Sequence, residues 1–283
     1  MARTGLVLEG GAMRGMFTAG ITDVYMEQGI DFDGMIGVSA GAAFGCNYKS
    51  RQIGRVIRYN KRFCRNWHFA GIRSWLITGD LYGADFDYRK LPAELDPWDT
   101  KTFQENPMAF WCVCTDADTG EAVYHRCEDG GERDLLYIRA SASMPVASRP
   151  VQVDGRRLLD GGIADSIPLR FFEDQGYDRN VVILTQPADY KKQPMAHAAL
   201  LHRFLTAYPA VEAKLRTRHI DYNRQTAYAR MEEELGRALV ICPDTPLRIG
   251  SVCHDPQELE RVYQIGRKKG EETAARVRQF LAG

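Results

Sequence analysis

The sequence of 283 residues predicts an α/β fold with three layers, in which helices cover both faces of a mainly parallel central sheet. Two observations support this fold. Short segments that are apolar throughout alternate with longer segments of helical periodicity, and strands buried on both faces are typical of parallel sheets. The composition, with 45% apolar and 26% charged residues, is that of a globular chain and excludes a disordered or collagen-like one.

The N-terminal elements follow from local patterns. A first strand is predicted over residues 5–9, and a helix from about 14 to 28, because Gly29 suits the position after a helix C-terminus. A second strand is predicted over 33–38, and small residues after Ser39 begin the next helix. Further buried strands are predicted over 109–115, 180–185 and 238–242, and hairpin turns at 118–120 and 154–156.

Two long helices are predicted near the C-terminus. In the first, the apolar residues assigned to one face are Val211, Leu215, Tyr222, Met231 and Leu235. The second begins with Asp255 as N-cap and Pro256 at the first helical position. Its apolar face contains Leu259, Val262, Tyr263, Ala274, Val277, Phe280 and Leu281. We expect a core over 1–190 and a mostly helical extension with one strand, 191–283, packed on it, with 187–194 as the candidate linker.

The charges are balanced overall but segregated along the chain. There are 37 basic and 37 acidic residues, and a net charge of zero disfavours a nucleic-acid partner. Residues 34–79 contain no acidic residue and eight basic ones, whereas 80–134 contain 14 acidic and five basic ones. The basic segment 49–73 is also rich in aromatic residues. It therefore suits either peripheral contact with an anionic membrane or a helix with an aromatic core face and a solvated charged face.

The compartment is predicted from what the sequence lacks. It has no apolar run of the roughly 18 residues that span a bilayer, and its N-terminal apolar stretch is too short for a signal peptide. The seven cysteines have no disulfide-framework spacing, and Cys112, Cys114, His125 and Cys127 do not have the usual zinc spacing. We expect a cytoplasmic protein, peripheral on the membrane if the basic segment binds lipid, with no metal and no cofactor.

The segment Gly37-Val38-Ser39-Ala40-Gly41 has the G-x-S-x-G pattern between a predicted strand and a predicted helix. In a nucleophile elbow, the glycines allow a tight turn that presents the serine hydroxyl at the N-terminus of the following helix. The helix dipole at that end favours developing negative charge. Ser39 is therefore a candidate nucleophile, and an ordinary glycine-rich turn is the alternative.

A second glycine-rich turn, Gly10-Gly11-Ala12-Met13-Arg14-Gly15, follows the first strand. Unobstructed backbone N–H groups in such a turn can bind a phosphate or an oxyanion. The turn lacks the Gly-Lys-Ser/Thr of a P-loop and does not match G-x-G-x-x-G, which disfavours nucleotide binding. Arg14 adds a positive charge near the turn, with a solvated or ion-paired helix residue as its alternative role.

A third candidate is Asp160-Gly161-Gly162, which follows two leucines at the end of a predicted strand. A reacting group can approach an Asp in this position, although an ordinary turn is the alternative. An α/β-hydrolase triad would instead require a histidine after the acid, and several strands before the nucleophile rather than one. His197, His202 and His219 lie in helical patterns, so that His254 is the loop candidate for a base.

In this order, the three motifs resemble those of the patatin-like phospholipases, over about the first two thirds of the chain. The resemblance implies a Ser–Asp dyad without histidine, with Ser39 as nucleophile and Asp160 as base. It also implies an oxyanion hole that contains Gly10, Gly11, Ala12, Arg14 and Gly15. The glycines that would support the two catalytic turns are Gly37, Gly41, Gly161 and Gly162. Many members have glycine where this chain has Ala12, so we expect the hole to persist unless that position requires a positive φ.

The function that the resemblance implies is hydrolysis of lipid carboxylic esters, of the phospholipase A or lysophospholipase type, through an acyl-enzyme. The substrate would be a lipid or another acyl ester. Two alternatives remain at this point: a conventional Ser-His-Asp esterase that uses His254, and a lipid-binding regulator without catalysis. The intact Ser39 and Asp160 weigh against the regulator.

Overall fold

The structure is a computed structural model that describes residues 2–195, 202 and 205–283. Within these residues eight strands form one sheet: β1 Thr4–Leu8, β2 Gly34–Val38, β3 Ala109–Asp116, β4 Ala122–Cys127, β5 Val151–Val153, β6 Arg156–Asp160, β7 Arg179–Ile183 and β8 Ala238–Ile241. The helices of the first two thirds are α1 Gly15–Glu27, α2 Ala40–Lys49, α3 Arg55–Phe63, α4 Ile72–Thr78, α5 Thr100–Glu105, α6 Glu132–Ser141 and α7 Leu169–Asp174. Two long helices follow, α8 Pro209–Glu234 and α9 Pro256–Ala282.

The sheet is mixed but mostly parallel. Strands β3, β2, β1, β7 and β8 lie side by side in that order and are all parallel. The antiparallel part consists of β4 and β6, which both pair with β3, and of β5, which pairs with β6. The hairpin predicted at 154–156 is present, since Asp154 and Gly155 both have positive φ between β5 and β6.

Helices cover both faces of the sheet, which confirms the three-layer prediction. On β1, Leu6 and Leu8 point into a core shared with α1, α2, α6 and α9, whereas Val7 points to the opposite face, under α7 and α8. The same alternation repeats along β7. Both faces of the parallel strands are therefore buried, as their continuous apolar sequence predicts.

One predicted helix face is partly wrong. Val211, Leu215 and Tyr222 of α8 are buried, but Met231 is 45% exposed and Leu235 is 56% exposed. At about 100° per residue, Met231 lies nine residues and half a turn away from Tyr222, on the opposite side of the helix. Ala229 occupies the buried position there instead.

The C-terminal elements are joined closely to the sheet. Strand β8 extends it by pairing with β7, and α9 packs along α1. The helix axes approach so closely that a Cβ on Gly266 would lie 2.0 Å from the Phe17 carbonyl oxygen. The predicted cap of α9 is present, because the Asp255 side chain accepts a hydrogen bond from the Gln257 N–H. The division into two units at residue 190 stays a prediction.

Candidate active site

Two strands that share one edge of β3 bring Ser39 and Asp160 together. Because β4 pairs along one edge of β3 from Phe110 to Thr115, both β2 and β6 must lie along the other edge. Val38 is paired with Val113, and Asp160 with the next residue of β3, Cys114. The C-terminal ends of β2 and β6 therefore meet head to head, and the residue after Val38 lies beside Asp160.

Ser39 occupies a strained turn between β2 and α2. Its φ of 54° and ψ of −122° lie in a region that L-residues rarely adopt. The turn is possible because Gly37 and Gly41 have no Cβ. A Cβ on Gly37 would lie 2.4 Å from the Gly41 carbonyl oxygen, and a Cβ on Gly41 would lie 2.4 Å from the Leu8 carbonyl oxygen. The Ser39 side chain is half-buried at the N-terminus of α2, which is the position predicted for an elbow serine.

Asp160 is buried and has one carboxylate oxygen without a partner. Its Oδ1 accepts a hydrogen bond from the Gly162 N–H at 2.8 Å. Among the described residues no donor reaches Oδ2 with hydrogen-bond geometry. Burial raises the pKa of Asp160 above its usual value, and the neighbouring Ser39 hydroxyl and the Arg218 charge offset this effect only in part. A carboxyl with a raised pKa and a free oxygen can accept a proton from Ser39.

The glycine-rich turn after β1 lies directly against Ser39. A Cβ on Gly10 would lie 2.8 Å from the Ser39 Cβ, so only glycine fits there. Within the described part of the chain, the N–H groups of Gly10 and Gly11 donate no hydrogen bond, and Ala12 begins a single 3₁₀ turn that ends at Arg14. These unused donors next to a serine are suited to an oxyanion.

Ala12 adopts a φ of 48°, so this position does require the left-handed conformation. Left-handed backbone costs an L-residue with a side chain on the order of 1 kcal/mol, which glycine avoids. The sequence predicts that the oxyanion hole persists unless this position requires a positive φ, and the position does have one. The turn therefore contains a strained residue, but it keeps its N–H groups beside Ser39.

The other predicted residues of the three motifs also lie at the site. The Arg14 Nε is 3.4 Å from the Thr185 Oγ1, which places its charge behind the turn beside buried Glu9. A Cβ on the remaining glycines would crowd a neighbour: the Thr185 Oγ1 at 2.7 Å from Gly11, the Phe44 ring at 2.8 Å from Gly15, the Val113 carbonyl oxygen at 2.1 Å from Gly161, and an Arg218 nitrogen at 3.0 Å from Gly162. The motifs thus converge on one place at the carboxyl ends of β1 and β2.

Several residues that support the site have no motif in the sequence. The Ser141 hydroxyl accepts the Ser39 N–H at 2.9 Å, and the Ser143 carbonyl accepts the Asp160 N–H at 2.8 Å. The end of α6 thus holds both candidate residues. From α8, Arg218 donates to the Gly162 carbonyl, and the Tyr222 hydroxyl donates to Glu9 at 2.9 Å. The full burial of Glu9, directly after β1, is a signal that sequence alone does not provide.

A cavity of about 370 Å³ opens beside Ser39. Its lining is mostly apolar and includes Met13, Phe44, Phe69, Leu91, Ile138 and Met144. Ligand pockets of 300 Å³ or more are typical of small-molecule sites. A serine at the mouth of an apolar cavity can therefore meet a molecule with an apolar chain.

A family model described as Patatin-like phospholipase matches residues 6–172, which is more than half of the chain. The chain belongs to the patatin-like phospholipase family. This match contains the three motifs and confirms the resemblance. A second model, described as Domain of unknown function (DUF6363), matches residues 208–282 and thus covers α8, β8 and α9 of this patatin-like chain.

Curated relatives have similar sequences over part of their length. An uncharacterized protein YjjU of Escherichia coli is 31% identical over 68% of this chain and 54% of its own length. Lysophospholipase NTE1 of Saccharomyces cerevisiae is 29% identical over 71% of this chain but only 12% of its own length. The patatin-like chain therefore spans about half of the first relative and a small part of the second.

A solved structure, VipD from Legionella pneumophila, has a TM-score of 0.47 and 13% identity, and the match covers 96% of this chain and 66% of VipD. A likeness this remote carries no argument about function. In the described part of the patatin-like chain, no helix has the length and apolar content that a bilayer-spanning helix needs.

None of the described histidines of the patatin-like chain lines the cavity beside Ser39. His254 instead forms a hydrogen bond between its Nδ1 and the Cys64 carbonyl at the end of α3. His202 pairs with Glu212 on α8. His197 lies outside the described residues. The geometry thus favours Asp160 as the base for Ser39.

His125, Cys127 and Asp134 form a buried group of potential metal ligands, whose atoms lie within 4.8 Å of one another. The Asp134 oxygens are already occupied. Its Oδ1 contacts His125 at 2.7 Å, and its Oδ2 accepts three backbone N–H groups, from Glu128, Asp129 and Gly130. This arrangement anchors the turn between β4 and α6, and we expect it to be structural.

Proposed function

We propose that the protein is a serine acyl hydrolase that cleaves carboxylic esters of lipids, of the phospholipase A or lysophospholipase type. One observation carries the proposal: Ser39 neighbours buried Asp160, lies against the unused N–H groups of the Gly10 turn and lines an apolar cavity. Family membership and the lysophospholipase among the curated relatives support the lipid substrate class.

In the acylation step, the Ser39 Oγ attacks the ester carbonyl carbon while Asp160 accepts the Oγ proton. The carbonyl oxygen becomes an oxyanion, which the N–H groups of the Gly10–Ala12 turn stabilise. Loss of one such donor typically costs about 3–4 kcal/mol of transition-state stabilisation. The alcohol leaves with the proton that Asp160 returns to it, and the acyl group remains on Ser39.

In the deacylation step, water attacks the acyl-enzyme and Asp160 accepts the proton of that water. The same N–H groups stabilise the second oxyanion. Ser39 recovers its proton and the free acid departs. Because burial raises the pKa of Asp160, this carboxylate is a stronger base than an exposed one, provided that the pH lies above its pKa.

The cavity bears on the kind of acyl group expected. Its volume of about 370 Å³ lies in the range of pockets that hold small ligands. Its apolar lining favours a hydrocarbon chain over a charged one. An acyl chain therefore fits better than a polar acid.

Fluorophosphonate labelling tests the nucleophile directly, without knowledge of the natural substrate. The probe reacts with an activated serine, so that the wild-type protein should be labelled and Ser39→Ala should not. Asp160→Asn should slow labelling by about 10²–10⁴-fold, because the proton acceptor is lost.

Ser148 and Ser251 line the same cavity and provide matched controls. Labelling should persist in Ser148→Ala, in Ser251→Ala and in His254→Ala. If Ser39→Ala is labelled as fast as the wild-type protein, the proposed nucleophile is wrong. Loss of labelling in His254→Ala, with the fold intact by circular dichroism, would instead favour the Ser-His-Asp alternative.

A further inference from the structure

Helix α4 presents a row of large apolar side chains to solvent. Ile72 is 73% exposed, Leu76 71% and Ile77 60%, and Trp75 is 38% exposed. The buried residue of this helix is Ser74, whose hydroxyl donates to the Asp80 carbonyl. Single exposed apolar residues are ordinary, but a contiguous group on one short helix indicates an interaction surface. Together with Val146, which is 38% exposed, these four residues form what we call the α4 patch.

The α4 patch adjoins residues that line the cavity beside Ser39. The Trp75 indole N–H donates to the Val146 carbonyl at 2.8 Å, and the Leu81 N–H donates to the Ala147 carbonyl at 2.7 Å. Leu81, Ala147 and Pro145, the residue before Val146, all line the cavity. The helix and the 145–147 loop are therefore fixed to each other, and the exposed apolar surface continues into the apolar cavity.

Two exposed arginines flank the α4 patch. Arg73 is exposed and lies over the Trp67 ring at 4.5 Å, while exposed Arg149 lies against Gly79 at the end of α4. Among the described residues, neither side chain is within 4.0 Å of a carboxylate. The nearby Asp80 is buried and accepts the Arg149 backbone N–H and a contact from Arg139. The surroundings of the patch thus favour an anionic partner.

The basic helix α3 is less suited to this role. Arg55 and Arg58 both pair with Asp96, and Lys61 pairs with Glu260. Tyr59 and Phe63, which could have entered a membrane, are buried in the core. Three of the four cations of α3 are therefore paired with acids, the fourth, Arg62, donates to the Leu95 carbonyl, and the exposed apolar surface lies on α4.

We propose that the α4 patch docks on the surface of a lipid aggregate, a bilayer or a micelle, and places the cavity mouth on that surface, an inference that rests on the proposed lipid hydrolysis. The partner is a lipid surface because the patch continues into an apolar cavity that accepts an acyl chain, and because its free cations match anionic head groups. A lipid ester then reaches Ser39 without its chain crossing water.

Vesicle sedimentation tests the docking independently of catalysis when all proteins carry Ser39→Ala. The vesicles contain phosphatidylcholine with or without phosphatidylglycerol. We expect Ile72→Ser/Leu76→Ser/Ile77→Ser to weaken binding by about tenfold or more, because the apolar area available for insertion is lost. Arg73→Gln/Arg149→Gln should remove the preference for phosphatidylglycerol and the weakening of binding by salt.

The matched control is Ile220→Ser/Met231→Ser/Leu235→Ser, which removes three exposed apolar side chains from α8 and its C-cap. It should bind vesicles as the parent protein does. Since the substituted α4 side chains are exposed, the variants should fold, and circular dichroism and thermal midpoint verify this. Unchanged vesicle binding by the α4 variant would overturn the proposal.

Activity assays on proteins that retain Ser39 separate this inference from the proposed function. A water-soluble short-chain ester should be hydrolysed equally by the wild-type protein and the α4 variant, whereas hydrolysis of vesicle lipid should fall about tenfold or more in the variant. If neither substrate is cleaved by the wild-type protein, the proposed function fails. If the α4 variant cleaves both substrates as fast as the wild-type protein does, the docking proposal fails. If light scattering shows that the α4 variant disrupts a dimer while vesicle binding is unchanged, the patch binds a second copy instead.

Discussion

At the residue scale, the environment of Asp160 determines the pH at which the Ser39–Asp160 pair would work. Burial raises the pKa of Asp160, and the largest charge effect that opposes burial comes from Arg218. Arg218 also donates to the carbonyl of Gly162, whose N–H donates to Asp160. Arg218 is therefore a positioning residue that acts on the carboxylate both by charge and through the loop.

Removal of the Arg218 charge should shift the acidic limb of kcat/KM. In Arg218→Gln the pKa of Asp160 should rise further, because the charge that favours its ionised form is gone. Below that pKa Asp160 is protonated and cannot accept the Ser39 proton, so the acidic limb should move to higher pH. The measurement is the pH profile of kcat/KM for a water-soluble ester, which reports the free enzyme.

Two variants make this prediction specific. Arg218→Lys keeps a positive charge and should restore most of the original pH limb. Arg216→Gln, on the same helix but paired with Glu212, should leave the limb in place. An acidic limb that is identical in the wild-type protein and Arg218→Gln would show that Arg218 supports only the loop.

The sequence identifies residues whose signal is local and misses those whose role comes from tertiary contact. Ser39 and Asp160 lie in short motifs with flanking glycines, so their positions could be predicted. Ser141, Arg218 and Tyr222 contribute through contacts between elements that are far apart in the chain; Ser39 and Ser141, for example, are 102 positions apart. No local pattern distinguishes such a serine, arginine or tyrosine from an ordinary helix residue.

At the element scale, one buried carboxyl joins three helices. Asp23 of α1 accepts a hydrogen bond from the Tyr263 hydroxyl of α9 at 2.7 Å and from the Gly54 N–H, before α3, at 3.0 Å. Burial raises the pKa of Asp23 to about 6, although both hydrogen bonds and the Arg267 charge oppose this effect. The contact between α1 and α9 thus contains a group that is neutral at mildly acidic pH.

This carboxyl should make stability depend on pH. Between about pH 4 and 6 the folded state retains the Asp23 proton, while the unfolded chain, with a pKa near 3.8, releases it. The free energy of unfolding should therefore fall as pH rises through this window, by up to about 3 kcal/mol for a pKa difference of roughly two units. Urea denaturation of the wild-type protein and Asp23→Asn at several pH values measures the effect.

The difference between the two proteins isolates Asp23 from other groups that titrate in the same range. Asp23→Asn should lose this part of the pH dependence, and its stability relative to the wild-type protein should rise between about pH 4 and 6 and level off above that. Asp244→Asn, at an exposed carboxylate, serves as control. Parallel stability curves for the wild-type protein and Asp23→Asn would contradict the assignment.

The elements themselves were largely predictable because their signals are local. Gly29 has a φ of 63° after α1, and Asp255 caps α9, as their positions in the sequence predict. The packed face of α8 was not fully predictable. Its apolar residues lie on two sides of the helix, and only contact with the sheet determines which side is buried.

At the scale of the whole molecule, charges that are segregated in sequence are paired in space. Cations of the basic segment meet acids from distant segments: Arg51 pairs with Asp31, and Lys61 with Glu260. The segregation along the chain therefore does not produce an equally segregated surface. Sequence can count these charges, but the fold decides which of them are paired, and within the part of the chain that the structure describes Arg73 and Arg149 have no carboxylate partner.

The close packing of α9 on α1 predicts that the chain unfolds as one cooperative unit. The four tryptophans lie at positions 67, 75, 98 and 111, so their fluorescence reports only the N-terminal half. In Gly266→Ala, the added Cβ would lie 2.0 Å from the Phe17 carbonyl oxygen, and the helices must move apart. We expect a loss of about 1–3 kcal/mol, detected equally by tryptophan fluorescence and by far-UV circular dichroism.

Lys268→Ala, at an exposed position of the same helix, should change the free energy of unfolding by no more than about 0.5 kcal/mol. If 191–283 were an independent unit, Gly266→Ala would shift only the circular dichroism transition and leave the tryptophan transition unchanged. Strand β8 makes that outcome unexpected, because it extends the same sheet by hydrogen-bonding to β7. Coincident transitions would also mean that Ser39 labelling disappears at the same urea concentration, since α8 and α6 hold the site together.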